Sequence, residues 1–416
     1  MQSLNDGVAV AKPGRTVVFA EQFYFPEGWA GAQLPRDITT YLAQNGFAVE
    51  VICGTDQYAS VEGQFVQNPA ELGVRIRRIP RLFGGDIQRR KLLRQLWFCC
   101  AALPLLLFRS APDVYVTQTN PPLVVPLIAF IALCRRRPLL IIAQDLYPEV
   151  VVAHGMMRTE SFMARVLLRL FNWAYGHAAC VVSLGPVMSQ RLIAKGVARE
   201  RITTISNWAT GDETVVRGSD NRLRREWGLE SCFVVLYSGN IGIAHDVETP
   251  ILAVRELLAE LPQLRLVFVG RGSRLADAER CARENGVSHG VLFRPLVPFE
   301  LLSHSLGLAD VALVTLRSGF DGLVVPSKLL GYMARGVPTL YVGPSSDVQQ
   351  LIESSGGGVC VANGDVTGMA DLLRRLAKER GMLEKMSVAA ETYYRQTLSR
   401  PIGLDRYRSV IESVGT

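Results

Sequence analysis

The sequence has no Cys-x-x-Cys pair, no Asp-x-Asp and no His or Cys cluster at metal-ligand spacing. These absences exclude zinc ribbons, thiol–disulfide centres and a paired-carboxylate metal site as its organising chemistry, and no metal is expected. The eight cysteines (Cys53, Cys99, Cys100, Cys134, Cys180, Cys232, Cys281, Cys360) sit mostly in apolar runs, where a reduced thiol acts as a small hydrophobe. A reducing cytoplasm is the expected location. From Met1 to Pro13 there is one Lys and no apolar stretch of signal-peptide length, so export is not expected. No apolar run reaches the roughly 20 residues that span a bilayer. A basic surface interleaved with aromatic platforms is also missing, and no nucleic-acid partner is expected.

What is present is enough apolar residue for two cores: 416 residues, 49% hydrophobic and 20% charged. The charge is uneven. From Glu71 to Arg109 nine basic residues (Arg75, Arg77, Arg78, Arg81, Arg89, Arg90, Lys91, Arg94, Arg109) face only Glu71 and Asp86, a balance of +7 that equals the net charge of the whole chain. The apolar run Leu96–Phe108 overlaps this cluster, and a second run, Pro121–Cys134, is closed by Arg135-Arg136-Arg137. Such runs suit core helices. They suit equally a surface that docks on an anionic membrane, where each nearby cation contributes about 1 kcal/mol.

Strands and helices alternate along the chain. Arg15–Ala20 and Ala48–Ile52 read as strands around a helix from Leu34 to Gly46, and the pattern continues through Asp113–Val116, Leu139–Ile142, Ala179–Val182 and Ile202–Ile205. Between Ser206 and Arg222 the apolar periodicity lapses. A second series begins at Phe233–Tyr237 and runs through 265–269, 291–293, 311–316, 339–342 and 359–361, with a helical segment from Met369 to the end. An α/β chain is expected, with domains 1–207 and 208–416, each on a parallel sheet, and the terminal helices returning to the first.

The densest local signal is Val324-Val325-Pro326-Ser327-Lys328, followed by a short helix that ends at Gly336-Val337-Pro338 and a strand from Thr339. Pro326 holds the chain extended and Ser327 is expected to cap the helix. Lys328 brings a positive charge to a helix start, where free amides already favour an anion.

Several blocks in order resemble a retaining glycosyltransferase of family 4. They are Phe25-Pro26-Glu27 with Gly28 and Gly31, Ile205-Ser206-Asn207-Trp208, Tyr237-Ser238-Gly239-Asn240-Ile241-Gly242, Phe268-Val269-Gly270-Arg271-Gly272, Ala309-Asp310-Val311 and the turn 326–338. The resemblance covers nearly the whole chain and is greatest to a bacterial N-acetyl-fucosaminyl transferase-like subgroup. It implies the GT-B fold, two Rossmann-like domains with parallel sheets facing a cleft. It also implies transfer with retention from a nucleotide-sugar, UDP favoured over GDP, to a lipid-linked or membrane-borne acceptor in cell-envelope polysaccharide (O-antigen) synthesis. The enzyme would work peripherally at the inner membrane face, without a cofactor.

Donor contacts implied by the resemblance and the turn are Gly31, Gly239, Asn240, Gly242, His245, Arg271, Arg274, Leu296, Asp321, Val325, Ser327 and Lys328. Backbone amides of 239–242 are expected to help hold the diphosphate. The two carboxylates usual in the family are absent: Leu323 and Gly331 stand there. In the first half Asp145 and Glu149 are candidates to orient or deprotonate the acceptor hydroxyl. His154, His177, His289 and His304 are assigned structural roles. The alternatives are a nucleotide-sugar epimerase and an inert docking partner.

Overall fold

The computed structural model describes residues 14–26, 30–55, 68–82, 90–211 and 213–414. Glu27, Gly28, Asp86, Arg89, Asp212 and the segment Met1–Pro13 lie outside the described residues, as does the Lys91 side chain.

Seven strands form the first sheet: β1 (Thr16–Glu21), β2 (Ala48–Gly54), β3 (Arg75–Ile79), β4 (Val114–Gln118), β5 (Leu139–Ile142), β6 (Cys180–Ser183) and β7 (Ile202–Thr204). Their spatial order is β3-β2-β1-β4-β5-β6-β7, all parallel. The second sheet holds β8 (Phe233–Asn240), β9 (Leu264–Arg271), β10 (Val291–Arg294), β11 (Val311–Thr315), β12 (Thr339–Val342) and β13 (Gly358–Val361), ordered β10-β9-β8-β11-β12-β13. This is the GT-B architecture expected from the sequence. Strands such as β5 and β12 are apolar on both faces because helices cover both sides, which is the condition under which all-parallel sheets are stable.

One strand escapes the sequence reading. β3 is Arg-Ile-Arg-Arg-Ile, taken above as part of a charge cluster, but it pairs with β2 at the sheet edge, where its arginines reach solvent. There Arg77 and Arg109 both meet Glu50, at 2.5 and 2.7 Å.

The first domain's helices are α1 (Ala30–Gln44), α2 (Lys91–Leu107), α3 (Val124–Arg135), α4 (Glu149–Ala153), α5 (Phe162–His177) and α6 (Pro186–Ala194). The last helix of the chain, Arg400–Val414, leaves the second domain and packs on α1, burying Leu404, Tyr407 and Ile411 with Val17, Ile38 and Trp208.

In each sheet the chain order reverses beside the first strand, between β1 and β4 and between β8 and β11. Crevices outside the carboxyl ends of such strands are where open α/β sheets bind ligands. The end of β8, the start of α1 and the linker residues Asn207–Thr210 come together around one cleft.

Candidate functional site

A cavity of about 540 Å³ lies in this cleft, walled by Gln33 and Leu34 of α1, by Asn207 and Trp208 of the linker, and by the loops after β8 and before helix Lys328–Met333. Its floor is built by close backbone approach. Gly239 has φ +120° and an added Cβ would lie 3.7 Å from Lys328 Cε, so the lysine stem rests on the strand end. Across the sheet, a side chain at Gly270 would collide with the Gly239 carbonyl.

Lys328 is the charged centre of the cavity. Its ammonium donates to the Tyr237 hydroxyl at 2.5 Å and to the Asn240 carbonyl at 3.4 Å, and it lies 3.8 Å from the Tyr237 ring centroid. The Tyr237 hydroxyl in turn donates to Asn240 O at 2.8 Å. None of these partners is a carboxylate. Burial therefore pulls the Lys328 pKa from 10.5 down to about 7.

His245 sits beside this pair, its ring edge-on to Tyr237 at 5.7 Å. Its Nδ1 is 2.8 Å from the Thr315 carbonyl, an acceptor only, so Nδ1 carries the proton and Nε2 is left as an acceptor. Burial first, then the Lys328 charge, hold its pKa down at about 3. The imidazole is neutral at any physiological pH.

Arg335, which the sequence reading passed over, is buried at the cavity wall and donates to the carbonyls of Thr214, Gly331 and Thr210 at 3.1, 3.0 and 3.4 Å. It ties the linker to the helix that carries Lys328. Tyr237 and Trp208 also line or support the site. Both stood inside the family blocks, but nothing in their spacing distinguished a site aromatic from a core one.

The donor residues inferred from sequence divide into two sets. Gly239, Asn240, Gly242, His245, Leu296, Val325, Ser327 and Lys328 line the cavity. Gly31 lies in the first turn of α1, two residues before Gln33, its carbonyl held by Gln118. Ser327 has helical backbone angles and makes no capping bond, a correction to its expected role. The Ile241 amide is taken up by the Arg271 carbonyl at 2.9 Å, so it is not available to a diphosphate.

Three charged candidates point elsewhere. Arg271 is exposed at the end of β9, outside the cavity wall. Arg274 is neutralised by Glu248 and by Asp277, the latter at 3.1 Å. Asp321 pairs across the domains with Arg191 at 2.5 Å.

Neither acceptor-side carboxylate lines the donor cavity. Asp145 stands in a backbone bridge to Val324, and the next amide, Leu146, donates to Leu323 O at 2.9 Å. Glu149 pairs with the buried Lys195 and lines a second, mainly apolar cavity of about 270 Å³ between α4, α5 and Leu323. Of the histidines set aside above, His154 lines the donor cavity, with Nδ1 2.6 Å from Val150 O and its ring edge-on to Phe320. Leu323 explains one missing carboxylate, because its side chain is buried in the first domain's core. Gly331 is different, since it lines the cavity and an added Cβ would lie 3.9 Å from Arg335 Nη1.

The domains also meet at Asp347, whose carboxylate accepts from the Val187 and Met188 amides at the start of α6, at 2.7 and 3.1 Å. Among the described residues no group of three His, Cys, Asp or Glu side chains is placed to hold a metal.

Comparison with known proteins agrees with this geometry. Residues 32–208 match the profile of the glycosyl transferase 4-like domain, and residues 219–393 match that of glycosyl transferases group 1. The chain is 26% identical over 303 residues to the probable glycosyltransferase WbjE of Pseudomonas aeruginosa, covering 72% of this chain and 74% of that one. It is 29% identical over 225 residues to the putative colanic acid biosynthesis glycosyl transferase WcaI of Escherichia coli K12, covering 53% and 54%. The crystal structure of Anabaena HepE in complex with UDP-glucose superposes with a TM-score of 0.68 at 15% identity, over 96% of this chain and 99% of that one. With one profile on each domain and the cleft between them, the chain belongs to the group 1 glycosyltransferases of family 4.

Proposed function

We propose that the protein is a retaining glycosyltransferase that moves a sugar from a nucleotide-sugar, with UDP favoured, to a lipid-linked or membrane-borne acceptor in cell-envelope polysaccharide synthesis. The observation that carries this reading is Lys328, an ammonium with no carboxylate partner among the described residues, fixed by Tyr237 at the floor of the cleft. Such a group is suited to a diphosphate, whose oxygens supply the counter-charge that the protein withholds. The UDP-glucose complex of HepE supports the choice of base, and the description of WcaI supports the polysaccharide.

In the reaction, the bond between the anomeric carbon and the diphosphate oxygen breaks. The acceptor oxygen bonds to that carbon on the same face, and the hydroxyl proton leaves with the diphosphate. Lys328 offsets the charge that develops on the leaving oxygen, which requires no metal. His245 Nε2 offers an acceptor for a sugar hydroxyl, a task the missing carboxylates would otherwise serve. The apolar cavity beside Glu149, lined by α4, α5 and Leu323, suits the lipid end of an acceptor.

Purified protein incubated with labelled UDP-, GDP- and dTDP-sugars, with and without polyprenyl-diphosphate saccharides, tests the reading. Acceptor-dependent release of UDP with a retained linkage is expected. An epimerised free sugar formed without acceptor would make it an epimerase, and no donor turnover with any acceptor would leave only a docking role.

A further inference from the structure

The N-terminal half of α2 is patterned in the wrong sense for water, while Phe98, Ala102 and Leu106 further along enter the core. Its polar residues Arg94 and Gln95 are buried, with 3% and 5% of their surface exposed, whereas Leu92 and Leu93 are 62% and 51% exposed and Leu96 is also in solvent. The exposed stripe continues through Cys100 and Pro104 to Phe108. A helix start that buries Arg94 and Gln95 while exposing Leu92, Leu93 and Leu96 is suited to an apolar neighbour on its outer side.

The adjoining helices repeat the pattern. α2 packs on α3 and α3 on α5, all three over one core cluster. α3 exposes Phe130 and Leu133, and α5 exposes Phe162, Met163, Val166 and Leu170. With α2 about 25 Å long and helices spaced about 8–10 Å apart, the face covers on the order of 600 Å², at the upper end of what a monomer leaves in water.

Charge identifies the occupant. No Asp or Glu occurs in residues 87–112, 114–144 or 161–199, the stretches that carry these helices. Exposed Arg90, Arg136, Arg137, Arg158, Arg165 and Arg169 lie at the helix ends and beside the apolar stripes. A second copy of this chain would set like charges against each other across a twofold axis. An anionic bilayer supplies both an apolar layer and negative headgroups.

We infer that the exposed face of α2, α3 and α5 is the surface by which the protein lies on an anionic membrane, immersed to the depth of the headgroup–acyl boundary. The inference rests on the reading of a membrane-borne acceptor and supplies the surface that meets it. It also corrects the charge-cluster reading: Arg94 is buried, Arg77 and Arg109 are engaged by Glu50, and the apolar side chains lead.

The full chain is co-sedimented with phosphatidylcholine vesicles, with and without phosphatidylglycerol, across a salt series, beside Leu96→Asp/Phe162→Asp and Arg136→Gln/Arg169→Gln. Wild-type protein should pellet with the anionic vesicles and retain part of its binding at about 1 M salt, where charges are screened beyond about 3 Å. The Asp pair should reduce partitioning by about tenfold or more at all salt concentrations, and the Gln pair mainly at low salt. Melting temperature and UDP binding, both expected to stay at wild-type values, show that the variants fold. Transfer to a detergent-solubilised acceptor should also be unchanged, so its failure would count against the proposed reaction and not against the surface. Equal pelleting of all three proteins, or no pelleting of wild type, overturns the inference. So does a wild-type dimer in sedimentation velocity that the Asp pair dissociates, which would assign the face to a second copy.

Discussion

Lys328 and Tyr237 form a stacked and hydrogen-bonded pair at the end of β8, the ammonium 3.8 Å from the ring centroid and bonded to the hydroxyl. The ring holds the cation where no carboxylate among the described residues does, so the charge is fixed in position but left available to an anion.

Lys328→Ala should lower donor affinity and turnover together, by about 1.5–3 kcal/mol in kcat/KM, the size of a charge-assisted hydrogen bond. Tyr237→Phe should cost less, about 0.5–1.5 kcal/mol, because only the hydroxyl contact is lost. The double variant should fall short of the sum, since both act on one cation. Strict additivity in steady-state kinetics would show that Tyr237 does not position Lys328.

The Lys328 pKa of about 7 gives a pH signature. Between pH 7 and 10.5 the unfolded chain holds a proton that the folded chain has released, so this group makes stability rise with pH across that window; below pH 7 its destabilisation is fully present. Donor binding should act in the opposite sense: the diphosphate re-protonates Lys328, takes up about half a proton near pH 7, and weakens as pH rises. Calorimetry in two buffers of different ionisation enthalpy measures this uptake. A wild-type protein that takes up none, or an undiminished uptake in Lys328→Arg, would disprove it.

Restoring the family carboxylates should give unlike results at the two positions. Leu323→Glu places a charge in the first domain's core and should destabilise by about 3 kcal/mol or more. Gly331→Glu enters a helix at the cavity wall beside Arg335 and should leave stability unchanged or raise it by about 0.5–1 kcal/mol. Chemical denaturation of the two variants gives the comparison, and equal losses would refute the assignment of Leu323 to the core.

Asp347→Ala removes the carboxylate that caps α6 from the other domain and should cost about 0.5–2 kcal/mol. The loss should appear as a lower denaturation midpoint and as faster proteolysis of the linker 205–217. An unchanged cleavage rate would show that this contact does not hold the domains together.

Activity should persist in excess EDTA, because Lys328 serves the leaving group. Complete loss on chelation, restored by magnesium or manganese, would assign that task to a metal instead.

Most strands and both parallel sheets are legible in the sequence, because a parallel strand covered on both faces needs an uninterrupted apolar run, as in Leu139–Ile142 and Thr339–Val342. β3 is not, because an edge strand tolerates arginine at three of five positions. Lys328 reads as an anion-site candidate from turn chemistry, a basic residue at a helix start, whereas Gly239 and Asn240 enter through the family resemblance; the fold brings all three to one cavity. Arg271, Arg274 and Asp321 carry the same kinds of charge; Asp277, three residues after Arg274, is a partner at helical spacing, but nothing local says that Glu248 and Arg191 engage Arg274 and Asp321 or that Arg271 faces solvent.

The sequence by itself determined the class of fold, the order of its elements and the identity of its central cation, since these depend on local periodicity and on residues near one another in the chain. Only the tertiary structure decided which charges are free and which faces are bare. Tyr237 and Lys328 are 91 positions apart, and Leu92, Leu93 and Leu96 of α2 are exposed while Arg94 and Gln95 beside them are buried. Pairing across such separations depends on packing in three dimensions, which no local pattern encodes.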